Sequence, residues 1–454
     1  IAVYAHFTST TYYIYPTSVR QQRQPQIDDS MAPISAKKWV STSGEKLVVS
    51  SAGDSVLGKI PTAAPVNLVS IVGPARNGKS SLMNAVIGDG DTFKMSTAVK
   101  PCTEGGDLSP YTVRLSEFEF KNAGVLTSSY HDPNDDPYLA FADVEGQGDE
   151  SIDHDIRLAT PFLLLSKVII FNWLGNPNKT AMLVKLKLMV LAADNIQQQD
   201  GGKGKVFGHL IILARDLSGP DKAEQIRELL LDNEDVGSSG DRKGAANRNT
   251  LRDNLRSSFE SIIVRTLPTP HPDITGERSA AISPSEFTPR FKAAVKGLKT
   301  DIIEMLKTPH TFGGSPILGG DNMSSVMASL CEAVNDSKDI SPPSLLQAID
   351  LRKVQKAAAD ALALATVYLN DISEFTLSSE KASEHIEAAT SWALDKFQTA
   401  AKLIAHDTVQ EEQEKMENTL AALAAATVGL QDTKRRNLDH TLANFAKKAM
   451  AVVD

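Results

Sequence analysis

Residues 66 to 87 read VNLVSIVGPARNGKSSLMNAVI, and this stretch decides the fold. Val66 to Val72 is a β-branched, apolar run that predicts a buried strand, and Ser80 to Ile87 reads as a helix. Between them, Gly73-Pro74-Ala75-Arg76-Asn77-Gly78-Lys79-Ser80 fits G-x-x-x-x-G-K-S, a phosphate-binding loop in its proper strand-to-helix setting. Gly73 and Gly78 let backbone N–H groups wrap a phosphate at the helix N-terminus, with Asn77 and Ser81 beside them. Lys79 neutralises terminal phosphates, and the Ser80 hydroxyl is a ligand for Mg²⁺. A chance glycine turn would not require both flanks.

Downstream of the loop, further pieces follow in order. Asp143-Val144-Glu145-Gly146 ends the apolar run YLAFA, where a carboxylate can hold Mg²⁺ through water and the Gly146 N–H can meet a γ-phosphate. Alone, D-x-x-G is weak, because Asp and Gly are common at strand ends. Phe93 to Asp107 is polar and aperiodic, and Thr103 is the candidate switch threonine, a second Mg²⁺ ligand. Base choice needs another group. Asn178-Lys179-Thr180-Ala181 lacks the aspartate of the small-GTPase signature, so the candidate base reader is Arg215-Asp216 after HLIILA. A carboxylate there can accept from the N1–H and exocyclic amine that guanine alone presents together.

Around these motifs the pattern is β/α alternation from about Gly44 to Pro309. Strands are expected at Tyr111 to Phe120, Tyr138 to Asp143, Val168 to Trp173, His209 to Ala214 and Ile262 to Leu267. Apolar strands separated by helices predict a mostly parallel sheet covered on both faces. Beyond Pro316 the composition turns to Ala, Leu, Glu, Lys and Gln. Helices are expected over Ser344 to Leu369, Ser379 to about Val428 and Asp432 to Val453, packed as an antiparallel bundle, with Gly429 as a break. Domain boundaries are accordingly set at 1–44 (an arm outside the fold, Met31 a candidate start), 45–315 and 316–454.

The 454 residues and 41% hydrophobic content suffice for two or three cores. A net charge of −9 argues against nucleic acid as an obligatory partner. Cys102 and Cys331 have no metal-like or disulfide spacing, which points to a reducing compartment, the cytosol. The longest apolar runs are too short to cross a bilayer, which takes about 20 residues, and no prenylatable cysteine stands at the C-terminus. His131 to Asp136 lacks the glycine and terminal glutamate of a calcium loop and reads as a solvated turn. The basic run Asp241 to Arg248 reads as a helix approach.

GPARNGKSSLMNAVIG, the spacing from Phe93 through Thr103 and Gly105, DVEGQGD at 143–149, LARD at 213–216 and the segment 251–273 together resemble the guanylate-binding protein and atlastin family of large GTPases. The resemblance spans roughly residues 45 to 370, and the absence of membrane segments favours its guanylate-binding side. It implies an α/β P-loop GTPase domain followed by an all-α helical stalk. It also implies GTP as substrate, Mg²⁺ as cofactor, nucleotide-dependent homodimerisation and use at membranes as a peripheral protein or against intracellular microbes. On the same resemblance, Arg76 is an internal arginine finger and Glu145 supports the water network. Two departures stand out: Pro101 replaces a serine that some relatives carry, and Gln147 occupies the place where Ras-type enzymes hold a water-orienting glutamine. The alternative is a slow GTP-binding scaffold whose hydrolysis is only a timer; a more distant one is an ATPase.

Overall fold

A computed structural model of the chain describes residues 35–88, 92–95, 103–124, 135–148, 151–194, 196, 205–217, 219–237, 241–271, 284–337, 340–402, 404 and 406–453. The proposed arm up to residue 34, Pro101, Cys102 and most of the turn at 131–136 lie outside these residues. The strands are β1 (Lys37–Ser43), β2 (Lys46–Val49), β3 (Val66–Val72), β4 (Gly106–Leu108), β5 (Val113–Arg114), β6 (Tyr138–Val144), β7 (Ser166–Leu174), β8 (Phe207–Arg215), β9 (Phe259–Leu267), β10 (Thr311–Phe312) and β11 (Ser315–Pro316). Between and after them come α1 (Ser51–Leu57), α2 (Lys79–Ile87), α3 (Leu115–Ala123), α4 (Ile152–Leu165), α5 (Lys179–Asp194), α6 (Pro220–Leu231), α7 (Arg242–Ser258), α8 (Pro289–Leu306), α9 (Gly320–Asn335), α10 (Pro342–Ser373), α11 (Ser379–Ala401) and α12 (His406–Val453).

Among the described residues one sheet runs in the order β2-β1-β4-β6-β3-β7-β8-β9, with β5 also beside β6. The strands from β6 to β9 are parallel, and β1, β2, β4 and β5 add antiparallel pairs at one side. The parallel strands carry apolar residues at successive positions because both faces are covered. Val66 and Leu68 of β3, Ile169 and Phe171 of β7, and Leu210 and Ile212 of β8 enter one core, with α4, α5 and α9. The residues between them, Val69, Ile71, Val168, Ile170, Ile211 and Leu213, enter the other, with α2, α3 and α8. The result is an α/β sheet sandwiched by helices, followed by a helical C-terminal region.

Several boundaries differ from the sequence expectation. Lys37–Ser43, assigned to the arm, forms β1 and pairs with both β2 and β4. Its Trp39 is fully buried and lies edge-on to Phe162, 5.8 Å between ring centroids. Tyr111 to Phe120 alternates like a strand, yet only Val113–Arg114 is extended and Leu115 begins α3. Leu115 and Phe118, three apart, bury on the sheet while Phe120 faces solvent, so the helical period wins. Helix α9, expected in the helical domain, buries Met323, Val326, Met327 and Leu330 in the sheet's own core. At roughly 1.5–3 kcal/mol for each such side chain, that packing binds α9 to the α/β layer.

Beyond it, α10, α11 and α12 form the helical region. Val354, Ala358, Ala361 and Ala365 on α10 meet Ala393 and Phe397 on α11 and Met416 and Leu420 on α12. The expected single helix from Ser379 to Val428 is broken between Ala401 and His406, where Ile404 folds back to donate to the Ala401 carbonyl at 3.0 Å. Conversely, Gly429 does not end a helix. A helical glycine costs only about 1 kcal/mol, and Gln431, fully buried two residues on, bonds Leu377 N and the carbonyls of Ile372 and Phe375.

His310, after α8, is buried against the sheet: its Nε2 lies 2.7 Å from the Leu164 carbonyl and its backbone N–H donates to Asn67 Oδ1 at 2.7 Å. Burial holds its imidazole down, at about 4, against a pull upward from the Leu164 bond. This contribution to stability is intact above pH 6.5 and is lost as pH falls toward 4, while the unfolded chain takes up the proton. The loss amounts to about 3 kcal/mol. Denaturant titrations from pH 7 to pH 4 are expected to show that slope, and His310→Gln to flatten it; parallel slopes would contradict this account.

Candidate functional site

At the carboxyl end of β3 the chain turns through residues 73–78 into α2. Gly73 (φ 137°) and Gly78 (φ 68°) take conformations that side chains avoid, and Arg76 adopts a left-handed φ of 61° at the exposed tip. Gly78 is the N-cap of α2 and offers no side-chain cap, so the first-turn N–H groups keep no side-chain acceptor there. Lys79, 7% exposed, folds back to donate to the Pro74 carbonyl at 3.3 Å. A helix start without a side-chain cap beside a buried lysine is chemically suited to an anion.

Two buried side chains receive carbonyls of this loop. Arg215 Nη1 donates to the carbonyls of Asn77 at 3.2 Å and Gly78 at 2.8 Å, and Asn172 Nδ2 donates to Asn77 at 2.6 Å. A Cβ on Gly78 would stand 2.6 Å from that same Nη1. Arg215 is thus spent on the loop, and burial pulls its guanidinium below its ordinary value, with Asp216 acting against this. Asp216 itself is exposed, with a left-handed φ of 60° that turns it away from the strand. Asn172 escaped the sequence reading; its signal was a polar residue interrupting the apolar strand VIIFNW.

Ser80, Thr103 and Asp143 come together from three segments. Asp143 Oδ2 accepts from Ser80 Oγ at 2.5 Å and from Thr103 Oγ1 at 3.2 Å. Its Oδ1 is buried with no hydrogen bond among the described residues. Burial pushes the Asp143 carboxyl up, while Lys79 and the two hydroxyls pull it down. Two hydroxyls and a carboxylate with an unused oxygen make a hard-oxygen donor set, which suits Mg²⁺ held mainly by one carboxylate, water and substrate phosphates. Among the described residues no group of three His, Cys, Asp or Glu offers another metal site.

The segment after β6 is tied to the loop. Gln147 N donates to Gly73 O at 3.0 Å and Ala75 N to Gln147 O at 3.1 Å. Gly146 passes so close that a Cβ would stand 2.2 Å from Ala75 Cα. Both amide atoms of the Gln147 side chain are buried without a hydrogen bond among the described residues. Glu145 joins the other switch segment: its Oε2 accepts from Gly105 N at 2.6 Å, and its own N–H donates to Gly105 O at 2.7 Å. Lys38 of β1 secures the same segment, bonding the Glu104 carbonyl at 2.5 Å and Asp107 at 2.6 Å. Ser81, in the first turn of α2, is half-buried.

Fold and site together define a phosphate-loop nucleotide-binding protein. Its particular family follows from the sequence: residues 52–310 match the pattern described as "Guanylate-binding protein, N-terminal domain". The chain belongs to the guanylate-binding protein family, a family of large GTP-binding proteins. No curated protein matches it. Solved structures with some likeness include a bacterial selenocysteine-specific elongation factor, EF-Sec, at 13% identity and a TM-score of 0.25 over 54% of this chain and 29% of that one. A mutation variant of SsGBP shows 12% identity and a TM-score of 0.25 over 54% and 57%. The chain spans less than two thirds of either. Among the described residues no helix is long and apolar enough to cross a membrane.

Gly146→Ala would force its backbone away from Ala75. Overpacking of about 1–3 kcal/mol corresponds to a roughly tenfold or greater loss of nucleotide affinity. Titration with a fluorescent GTP analogue tests this, and equal affinity in variant and wild type would refute the proposed crossing.

Proposed function

We propose that this chain binds GTP and hydrolyses it to GDP and phosphate, and that the hydrolysis is accelerated when two copies associate. The observation that carries the reading is the convergence of Ser80, Thr103 and Asp143 beside Lys79 at the uncapped start of α2. In this reading the loop amides and Lys79 bind the β- and γ-phosphates, and Gly146 N–H contacts the γ-phosphate. Ser80 and Thr103 would hold Mg²⁺ directly and Asp143 through water. The ion, when bound, neutralises charge on the phosphates.

A water attacks the γ-phosphorus, its oxygen forming a bond as the bond to the bridging oxygen breaks, and its proton passes to the released phosphate. Gln147 holds that water: its buried amide has a donor and an acceptor without partners among the described residues. Glu145 keeps the switch segment carrying Thr103 in place through Gly105. Arg76, exposed at the loop tip, binds the charge that develops in the transition state once a second copy packs over it. Asp216 reads the guanine, and Arg215 holds the loop that Asp216 adjoins. The helical region transmits the nucleotide state to whatever the protein moves.

Four measurements test the reading. Phosphate release per molecule is expected to rise with protein concentration, and a flat profile would favour a slow timer. Arg76→Ala should lower kcat by about 10³-fold with GTP affinity nearly unchanged. Gln147→Leu should lower it by at least about tenfold; wild-type kcat in that variant would remove its role as the water holder. Competition between GTP and ATP, repeated with Asp216→Asn, checks base choice.

A further inference from the structure

On the far side of α2 from its phosphate end lies a cleft of 290 Å³ between α2, α3 and α8. Its floor is apolar. Phe291 and Val295 belong to the core beneath the sheet, and Phe287 stands edge-on to Phe291 at 5.0 Å between centroids. Its charge is one-sided: Lys292, Lys296 and Lys299 line it, and among the described lining residues there is no Asp or Glu. On a chain of net charge −9, three lysines thus gather with no carboxylate among the described lining residues.

Lys299 is the inner one of the three. Among the described residues it makes no hydrogen bond or ion pair; its ammonium stands 5.8 Å from the centroid of the Phe118 ring and faces Gly88 at the carbonyl end of α2. Burial pulls it down to about 8, and Lys121 on α3 acts in the same direction. Lys292 and Lys296 are exposed at the rim, and Lys292 is committed to the Ser285 carbonyl at 2.8 Å. Among the described residues this partly buried ammonium above an aromatic floor has no counter-anion, and burying a charge is costly unless it is paired.

We propose that this cleft binds a small amphipathic carboxylate, its head on Lys299 and its apolar body over Phe287, Phe291 and Val295. One inner ammonium matches a monoanion; a phosphate dianion would bring a second charge into the cleft with only one inner cation to meet it. Octanoate, a monoanion with a short apolar tail, is a probe of that class. Asn84, which also lines the cleft, bonds the Phe93 backbone twice, at 2.8 and 2.9 Å, so the occupant would sit against the stem of the loop leading toward Thr103.

Calorimetric titration of the full chain with octanoate and with octanamide, which shares the tail but not the charge, tests the assignment. Octanoate is expected to bind wild type at least about tenfold more tightly, a difference of about 1.4 kcal/mol. Lys299→Met, which keeps the stem, should abolish that preference. In parallel, octanoate should protect Lys299 from an amine-reactive reagent, read by peptide mass spectrometry on wild-type protein. Equal binding of the two compounds, no binding of either, octanoate preference surviving in Lys299→Met, or unprotected Lys299 would each overturn the proposal. Should the variant not fold, the wild-type comparison and the protection measurement still decide it.

Discussion

The loop between β3 and α2 turns two of its carbonyls into the protein interior, and the rest of the site depends on how they are met there. Arg215 and Asn172, both buried, take the carbonyls of Asn77 and Gly78. Each comes from the end of a neighbouring parallel strand, β7 or β8, so the loop's shape rests on the register of the sheet. An unpaired buried carbonyl costs roughly 1–3 kcal/mol, enough to favour another loop conformation. With the two donors in place, the start of α2 stays open for a ligand.

The same economy governs the segments around the loop. Gly146 and Gln147 cross the loop backbone to backbone, which only a glycine at 146 permits. Glu145 then passes that position on to Gly105 by two hydrogen bonds, two residues from Thr103. The contacts run without a gap from Gly73 through Gln147 and Glu145 to Gly105, so a change at one end has a physical route to the other. Lys38 extends this chain to β1, a strand distant in sequence from any motif.

Much of this was legible in the residues. The loop at 73–80, the five parallel strands and the carboxylate at 143 declare themselves locally, since each depends on short-range spacing and on runs of apolar residues. What failed did so for identifiable reasons. Tyr111 to Phe120 fits both a period of two and a period near three, and only the position of the sheet chose between them. The break before His406 has no proline or glycine to announce it, while Gly429 announces one that packing overrides. Helix α9 looks like its helical successors in composition, and only its neighbours assign it to the sheet layer.

The sequence by itself determined the order of the groups, a glycine-bounded turn, a lysine, two hydroxyls and a carboxylate, and membership of the guanylate-binding protein family follows from residues 52–310. Tertiary structure alone decided how those groups are supported. It turned Arg215 from a free cation into the brace of the loop, and it brought Asn172 in from β7. It also left both ends of the Gln147 amide and one oxygen of Asp143 buried without hydrogen bonds among the described residues. The physical reason is range. A motif records contacts along a few residues, whereas these buried donors meet their acceptors across 95 to 138 residues, and only folding brings them to hydrogen-bond distance.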